Sequence, residues 1–406
     1  MALVEGDGVA FGYGALEVEG PGFVYANASL SSDGRSVVFS PNFRAAAAGL
    51  GGALFNANQR AVAGALVSLP GETDFTRALS GLTSRETAEA LDDLGALHLT
   101  SMMPAQIQGV RNHQRSVMNA VGTGTALGRS SAGVWVQYVG SYDDVSSDFD
   151  RIGWERRMNG VTAGIERAFS DDLLAGFALG YEHSNLNGAG NKVRDDAVSA
   201  DFYVRHRKEK FEQSAALSFV AHDYETTRSL AYGAYRGRAD GETNGSSVAA
   251  AYEASFDFEP TDWVTLAPVL SLSAVFNEIS SWTESGASAT LRYDRQKAFS
   301  AQAGVGGRAE FSLGNPFGAE ERVRFGVSAL LTRDFGDRDG DVDAAFTEGG
   351  ASFRMKYDEP GAGALRLGAT LSAPLRDDVS AFAGVSTELR EDYSGVNANV
   401  GVRIGW

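Results

Sequence analysis

The sequence predicts an all-β chain: a 12-stranded antiparallel transmembrane β-barrel with an N-terminal helix in the lumen. Three observations predict it. The chain ends on a strand of unbroken two-residue period; similar strands run back to about residue 129, with connections that alternate long and short; and a polar stretch of about twenty helical residues precedes the first of them.

Residues 1–52 read as a few rungs of a larger β structure. Val9 to Val18, Phe23 to Leu30 and Arg35 to Phe39 are short β-like pieces separated by Pro-Gly and Asp-Gly turns. The opening MALVEGDGVAFGYG lacks the basic start and apolar core of a signal peptide, so a signal is expected upstream in a longer precursor, or the chain is a fragment.

Residues 53–128 change period. NANQRAVAGALVSL, DFTRALSGL and TSRETAEALDDLGAL have helical spacing, the last with Thr83 or Ser84 as N-cap and Glu86 behind it. Ser101 to Val121 then predicts one long helix, with Pro104 tolerated in the first turn. Its length of roughly 30 Å matches a bilayer's hydrocarbon core. Yet Gln106, Gln108, Arg111, Asn112, His113, Gln114, Arg115 and Asn119 make it polar on most sides, so lipid could not hold it and a water-filled barrel could.

Residues 129–406 carry the barrel. Strands are expected near 133–141, 160–169, 173–184, 196–206, 211–222, 245–258, 263–276, 298–313, 321–333, 363–374, 378–389 and 394–406. In the last, Val396, Ala398, Val400, Val402, Ile404 and Trp406 alternate with Asn397, Asn399, Gly401, Arg403 and Gly405. Parity places Arg308, Glu310, Arg324, Arg403, Asp201 and Arg205 on the lumen face. The connections alternate between long ones, Asp223 to Asn244 among them, and short ones such as SDD and EPTD, as short periplasmic turns and long extracellular loops do. Phe346 to Tyr357 would make an odd thirteenth strand and is assigned to a loop hairpin. Trp135, Trp154, Trp263, Trp282 and Trp406 lie near strand ends or in loops and are expected in the interfacial girdles.

Composition bounds the function. The net charge is −17, with seven Arg/Lys against eleven Asp/Glu in residues 1–128, so most of the acidity falls in the barrel. That excludes nucleic acid as a partner and suits a lumen that would accept Arg111 and Arg115. Gly is abundant at 49 residues, Pro scarce at 9, and Cys absent, which leaves no disulfide or thiolate site.

The order of parts resembles the C-terminal translocator of bacterial autotransporters, the monomeric type V secretion system. The resemblance covers residues 53–406: a junction with NANQRAVAGAL and ALDDLGALH, the lumen helix, a barrel opening with VWVQYVGSYDD, and the terminal GVRIGW. It implies a barrel in the bacterial outer membrane, surrounded by outer-membrane lipid, that anchors an N-terminal passenger and exports it to the cell surface, with residues 1–52 the passenger's remnant. It also implies that Val400, Val402, Ile404 and Trp406 form the signal read by the β-barrel assembly machinery, and that Gln108, Arg111, Asn112, Arg115 and Asn119 lie on the helix that stays in the lumen. Some members cut their own chain at paired Asn residues in that helix; here Asn112 and Asn119 stand apart, which points away from self-cleavage.

Nothing reads as an enzyme or as a cofactor site. G-x-S-x-G, H-E-x-x-H and GxxxxGK[ST] are absent, and His98, His113, His183, His206 and His222 have no metal spacing. Asp337, Asp339, Asp341, Asp343 and Glu348 sit in a calcium-loop register, but Gly340 falls two positions early for the turn and no helices flank it, so a solvated acidic loop is expected. The alternative functions are an outer-membrane barrel protease or phospholipase, which would need polar groups converging at the rim and no lumen helix, and an adhesin or porin-type barrel, which would leave the helical junction unexplained.

Overall fold

The computed structural model describes residues 2–5, 26–30, 36–41, 55–79, 82–122 and 132–406, the last apart from 150, 189, 190, 287, 318, 320, 321, 338 and 359. The expected piece Val9 to Val18 lies outside the described residues. Ala26–Leu30 and Ser36–Pro41 are strands, and with Ala2–Glu5 they form a small antiparallel sheet of their own.

Twelve strands close the barrel: β1 Ala132–Val145, β2 Trp154–Ser170, β3 Leu173–Gly188, β4 Asn191–Lys208, β5 Phe211–Tyr232, β6 Tyr235–Phe256, β7 Val264–Ile279, β8 Gln296–Leu313, β9 Val323–Gly336, β10 Gly363–Pro374, β11 Val379–Arg390 and β12 Tyr393–Gly405. Each pairs antiparallel with its chain neighbours, and β12 returns to β1 in register from Tyr393 opposite Val145 to Gly405 opposite Gly133. No barrel edge is left open, so the backbone groups of every strand are satisfied within the sheet.

Outside, the period-2 pattern sets out a band of exposed apolar side chains, among them Val136, Ile165, Leu179, Phe219, Leu331 and Val400. Inside, most of the alternate residues are polar or small, with a few large exceptions such as Trp135, Tyr203 and Phe382. Of the five tryptophans, only Trp263 and Trp406 face outward. Trp135, Trp154 and Trp282 are buried, which corrects their assignment to the girdles. Trp135 sits on the inward parity of β1 and donates its indole N–H to the Tyr203 hydroxyl at 2.7 Å. It packs over Gly164, where a Cβ would stand 2.4 Å from the ring, so no larger residue fits beneath it.

The strands extend past the expected ends at the loop side. Asp223 to Asn244 is no open loop: β5 and β6 continue as one hairpin and turn only at residues 233–234. Phe346 to Tyr357 does fall in a loop hairpin. It belongs to strands Asp339–Phe346 and Phe353–Asp358, which join Trp282–Thr283 and Leu291–Tyr293 in a four-stranded sheet above the barrel. Asp339, Asp341 and Asp343 are therefore strand residues, the last two facing Lys356 and Arg354 across the pair, and Arg354 holds Asp343 at 2.8 Å.

The helices are α1 Ala57–Val67, α2 Asp74–Arg77, α3 Ser84–Leu94 and α4 Met102–Gly122, with a 3₁₀ turn Leu97–Ser101 leading into α4. Thr83 caps α3 in a capping box with Glu86. α1 to α3 do not form a loose junction. Leu66, Phe75, Leu79, Leu91, Leu94 and Leu99 pack with Tyr232, Trp282, Leu291, Tyr293, Phe346 and Met355 in one apolar core that covers the loop-end mouth.

A helix held in the barrel lumen as the candidate functional site

Within α4, every residue from Met102 to Gln114 is buried, although nine of the helix's 21 residues are polar. That combination is stable only if the wall supplies partners. It does so from nearly all sides.

Arg111 donates to Asp334 on β9 at 3.2 Å and to Ser300 on β8 at 2.8 Å. Arg115 pairs with Glu388 on β11 and donates to Asn112 at 3.1 Å. Asn112 in turn donates to Asp143 on β1 at 3.2 Å, and Gln108 donates to Asn112 at 3.3 Å. Asn119 donates to Asn399 on β12 at 2.9 Å. These five residues, picked out on the sequence as lying on the lumen helix, thus meet five separate strands among them.

Sequence reasoning left out of the lumen-facing set a residue that ties two strands at once. His113 lies 2.7 Å from Glu182 on β3 through Nδ1 and 3.0 Å from Asp201 on β4 through Nε2, so an imidazolium donating from both nitrogens satisfies both carboxylates. The signal was available in parity, since Glu182 and Asp201 both occupy inward positions. Gln106, likewise passed over, donates to Ser247 on β6 at 3.0 Å, and Ser247 contacts His222 at 3.1 Å, which contacts Asp195 at 3.1 Å. The order Ser, His, Asp is that of a hydrolase relay. Here all three are buried against the helix beside a void of about 10 Å³, room for one water, so the chain of bonds acts as a tie.

Arg403 reaches the end of the helix. Its guanidinium donates to the carbonyl of Ala120 in the last turn and pairs with Glu166 at 2.7 Å. The last carbonyls of a helix have no partner within it, and a cation there also meets the negative end of the dipole. Gly109 lets the helix close on the wall: a Cβ there would stand 2.5 Å from the Arg156 guanidinium. Arg308 and Glu253 pair at 3.5 Å, and Arg324 and Glu310 at 3.9 Å, lower in the lumen, where they line a cavity beside α4 rather than touching it. Val400, Val402, Ile404 and Trp406 stand together on the outer face of β12.

At the mouth, Arg228 on β5 is the fixed point. Its guanidinium pairs with Glu284 and donates to the carbonyls of Asp93, at 2.9 Å, and Leu94 at the end of α3, and to Ala289 at 2.7 Å. Nearby, burial pushes Asp92 and Asp93 up to about 6, opposed by the Gln59 hydrogen bond at Asp92 and by Arg228 at Asp93. Burial, reinforced by Arg228, pushes His98 down to about 3.

A closed twelve-stranded barrel with an apolar outer band and a helix threaded through it defines a class, the outer-membrane translocator barrels. The family model for the autotransporter beta-domain matches residues 134–386. The chain belongs to that family. It is similar to an extracellular serine protease of Serratia marcescens, 26% identical over 56% of this chain and 22% of the relative, and to the esterase EstA of Pseudomonas aeruginosa, 28% identical over 46% of this chain and 30% of the relative. The chain thus spans less than a third of the length of either relative. Among solved structures it is similar to the translocator domain of the autotransporter NalP from Neisseria meningitidis, with a TM-score of 0.59, 14% identity and coverage of 74% of this chain and 96% of that one. The β domain of the Bordetella autotransporter BrkA gives a TM-score of 0.51 at 16% identity, covering 68% and 100%. The chain thus carries an autotransporter beta-domain, a translocator barrel of the bacterial outer membrane.

Proposed function

We propose that α4 remains in the lumen as a plug once the passenger has passed, and that α1 to α3 with the loop sheet close the mouth above it on the cell-surface side. The observation that carries this reading is the polar fit of the helix: Arg111, Asn112, His113 and Arg115 each engage an acidic group of the wall, on five different strands. Charge-assisted bonds of this kind fix register and orientation as well as adding stability. The barrel then serves as both conduit and anchor, with its apolar band in outer-membrane lipid. The outward row Val400, Val402, Ile404 and Trp406 is the segment we assign to recognition by the β-barrel assembly machinery.

In this reading the chain carries no catalysis, cofactor or nucleic-acid site of its own. Hydrolytic activity of the kind named in the relatives would belong to the passenger, residues 1–52 being its tail. The test is to refold the chain with and without residues 1–121 and compare gel migration before and after boiling, then conductance in planar bilayers. Both forms are expected to migrate faster unboiled, and the shortened form to conduct more. Equal conductance would overturn the plug.

A further inference from the structure

Beside α4 the wall leaves a cavity of about 200 Å³, lined by Arg111, Gln114 and Arg115 from the helix and by Arg366 from β10, among others. At its edge three guanidinium groups share two carboxylates, and Arg366 adds a fourth positive charge. Asp334 receives Arg111 and Arg390, and Glu388 receives Arg115 and Arg390. Arg366 stands directly across the β10–β11 pair from Glu388, which is already taken. It donates to Ser271 at 3.2 Å and has no ion-pair partner among the described residues.

The other charges around the cavity do not offset this surplus. Arg308 is matched by Glu253, Arg324 by Glu310, and Glu212 by Arg205 at 2.7 Å. A second, independent observation points the same way. Gln114 is 2% exposed, yet neither its amide nitrogen nor its oxygen has a partner, and Arg111 Nε has none either. Buried donors without acceptors beside two unmatched positive charges are costly in a low-dielectric interior. Water would satisfy the donors but not the charge.

We propose that this cavity binds a small inorganic anion, chloride or a phosphate-type oxyanion, between Arg366, Arg111 and the Gln114 amide. The guanidinium groups supply charge and forked donors, and the amide supplies a further N–H. The proposal does not depend on what the barrel exports.

The test is chloride-35 NMR on the full refolded chain in a zwitterionic detergent, where exchange with a protein site broadens the chloride line. The expected result is excess line width that Arg366→Gln at least halves, that Arg366→Lys largely retains, and that Arg354→Gln on the surface loop sheet leaves unchanged. Added inorganic phosphate that narrows the line makes the oxyanion a ligand of the same site, and phosphate without effect makes the site one for chloride; both keep the proposal. Line width equal in wild type and Arg366→Gln, or lost equally in Arg354→Gln, overturns it. If Arg366→Gln does not refold to a heat-modifiable band, Gln114→Leu removes the amide donor without changing charge, and unchanged line width in that variant overturns the proposal.

Discussion

At the loop end, the chain leading into the lumen buries Phe75, Leu79, Leu91, Leu94 and Leu99 to 1% exposure or less, whereas roughly three to four turns deeper α4 meets the wall through Arg111, His113 and Arg115. The mouth is closed by apolar area, about 25 cal/mol for each Å² removed from water. The lumen is closed by hydrogen bonds and ion pairs whose net worth is smaller but whose geometry is specific. The difference teaches that one continuous segment is held by two separable means. Each should fail under its own perturbation.

The largest effect is expected where the two means meet, at Arg228. Replacing it in Arg228→Met leaves the buried Glu284 without its cationic partner, holding only the Leu291 N–H and the Tyr293 hydroxyl, and strips donors from the carbonyls of Asp93, Leu94 and Ala289. Breaking one side of a buried pair typically costs about 3–5 kcal/mol. Urea unfolding of the cap, followed by near-ultraviolet circular dichroism, should show that loss, and adding Glu284→Gln should recover part of it. A loss below about 1 kcal/mol would mean that apolar packing alone holds the mouth, since a neutral hydrogen bond contributes that much.

Arg111→Gln combined with Arg115→Gln should act on the lumen alone. Asp334 and Glu388 keep Arg390, so the expected cost is lower, on the order of 1–3 kcal/mol. Bilayer conductance should rise while the urea midpoint of the cap stays put. A shift in the cap with no change in conductance would dissolve the distinction between the two regions.

The pH dependence sharpens the contrast further. Asp92 and Asp93 titrate near 6 in the folded cap against an ordinary value of 3.8, so the folded state binds more protons between those limits and cap stability should fall as pH rises from about 4 to 6. His98 titrates near 3 against 6.5, so it binds more protons unfolded and contributes the opposite slope over about 3 to 6.5. Two carboxylates outweigh one imidazole, which places the cap's maximum near pH 4, with a drop below it from His98 alone. Asp92→Asn with Asp93→Asn should leave the histidine slope, so that stability then rises from pH 4 to 6. Urea midpoints taken at half-unit pH steps decide it, and a flat profile in wild type would show that these groups are not desolvated as the packing implies.

Much of this architecture was legible in the alternation of residues, and where it was not the reason is physical. In the band, apolar residues point out and polar ones in, so Phe299 and Ser300 or Val400 and Gly401 reveal their faces directly. Above the band the code inverts: Tyr224, Leu230 and Tyr232 point inward to the cap's core while Glu225, Arg236 and Arg238 point out to water. The inverted stretch of β5 and β6 therefore read as a polar loop. Trp135 misled in the other direction, because its position near a strand end suggested a girdle while its parity, opposite to Val134 and Val136, placed it inside. The helix was visible from its length and polarity. Its partners were not, since which inward charge meets which helical residue depends on barrel register across twelve strands, and His113 looked like any scattered histidine until Glu182 and Asp201 were brought to it.

The smallest predicted effect tests whether the cap can be tuned without touching the lumen. Thr83 begins α3: its hydroxyl accepts from the Glu86 N–H, and the Glu86 carboxylate accepts from the Thr83 N–H at 2.8 Å, which holds Glu86 below the usual carboxylate range. Thr83 is exposed and distant in sequence from every contact of α4. Thr83→Ala should cost the cap about 1 kcal/mol, as loss of a Thr N-cap commonly does, and Thr83→Ser should cost little because the oxygen is kept. Conductance and heat-modifiability should match wild type in both. If Thr83→Ala raised conductance, the mouth and the lumen would be one cooperative unit, and the separation argued from their opposite chemistry would fail.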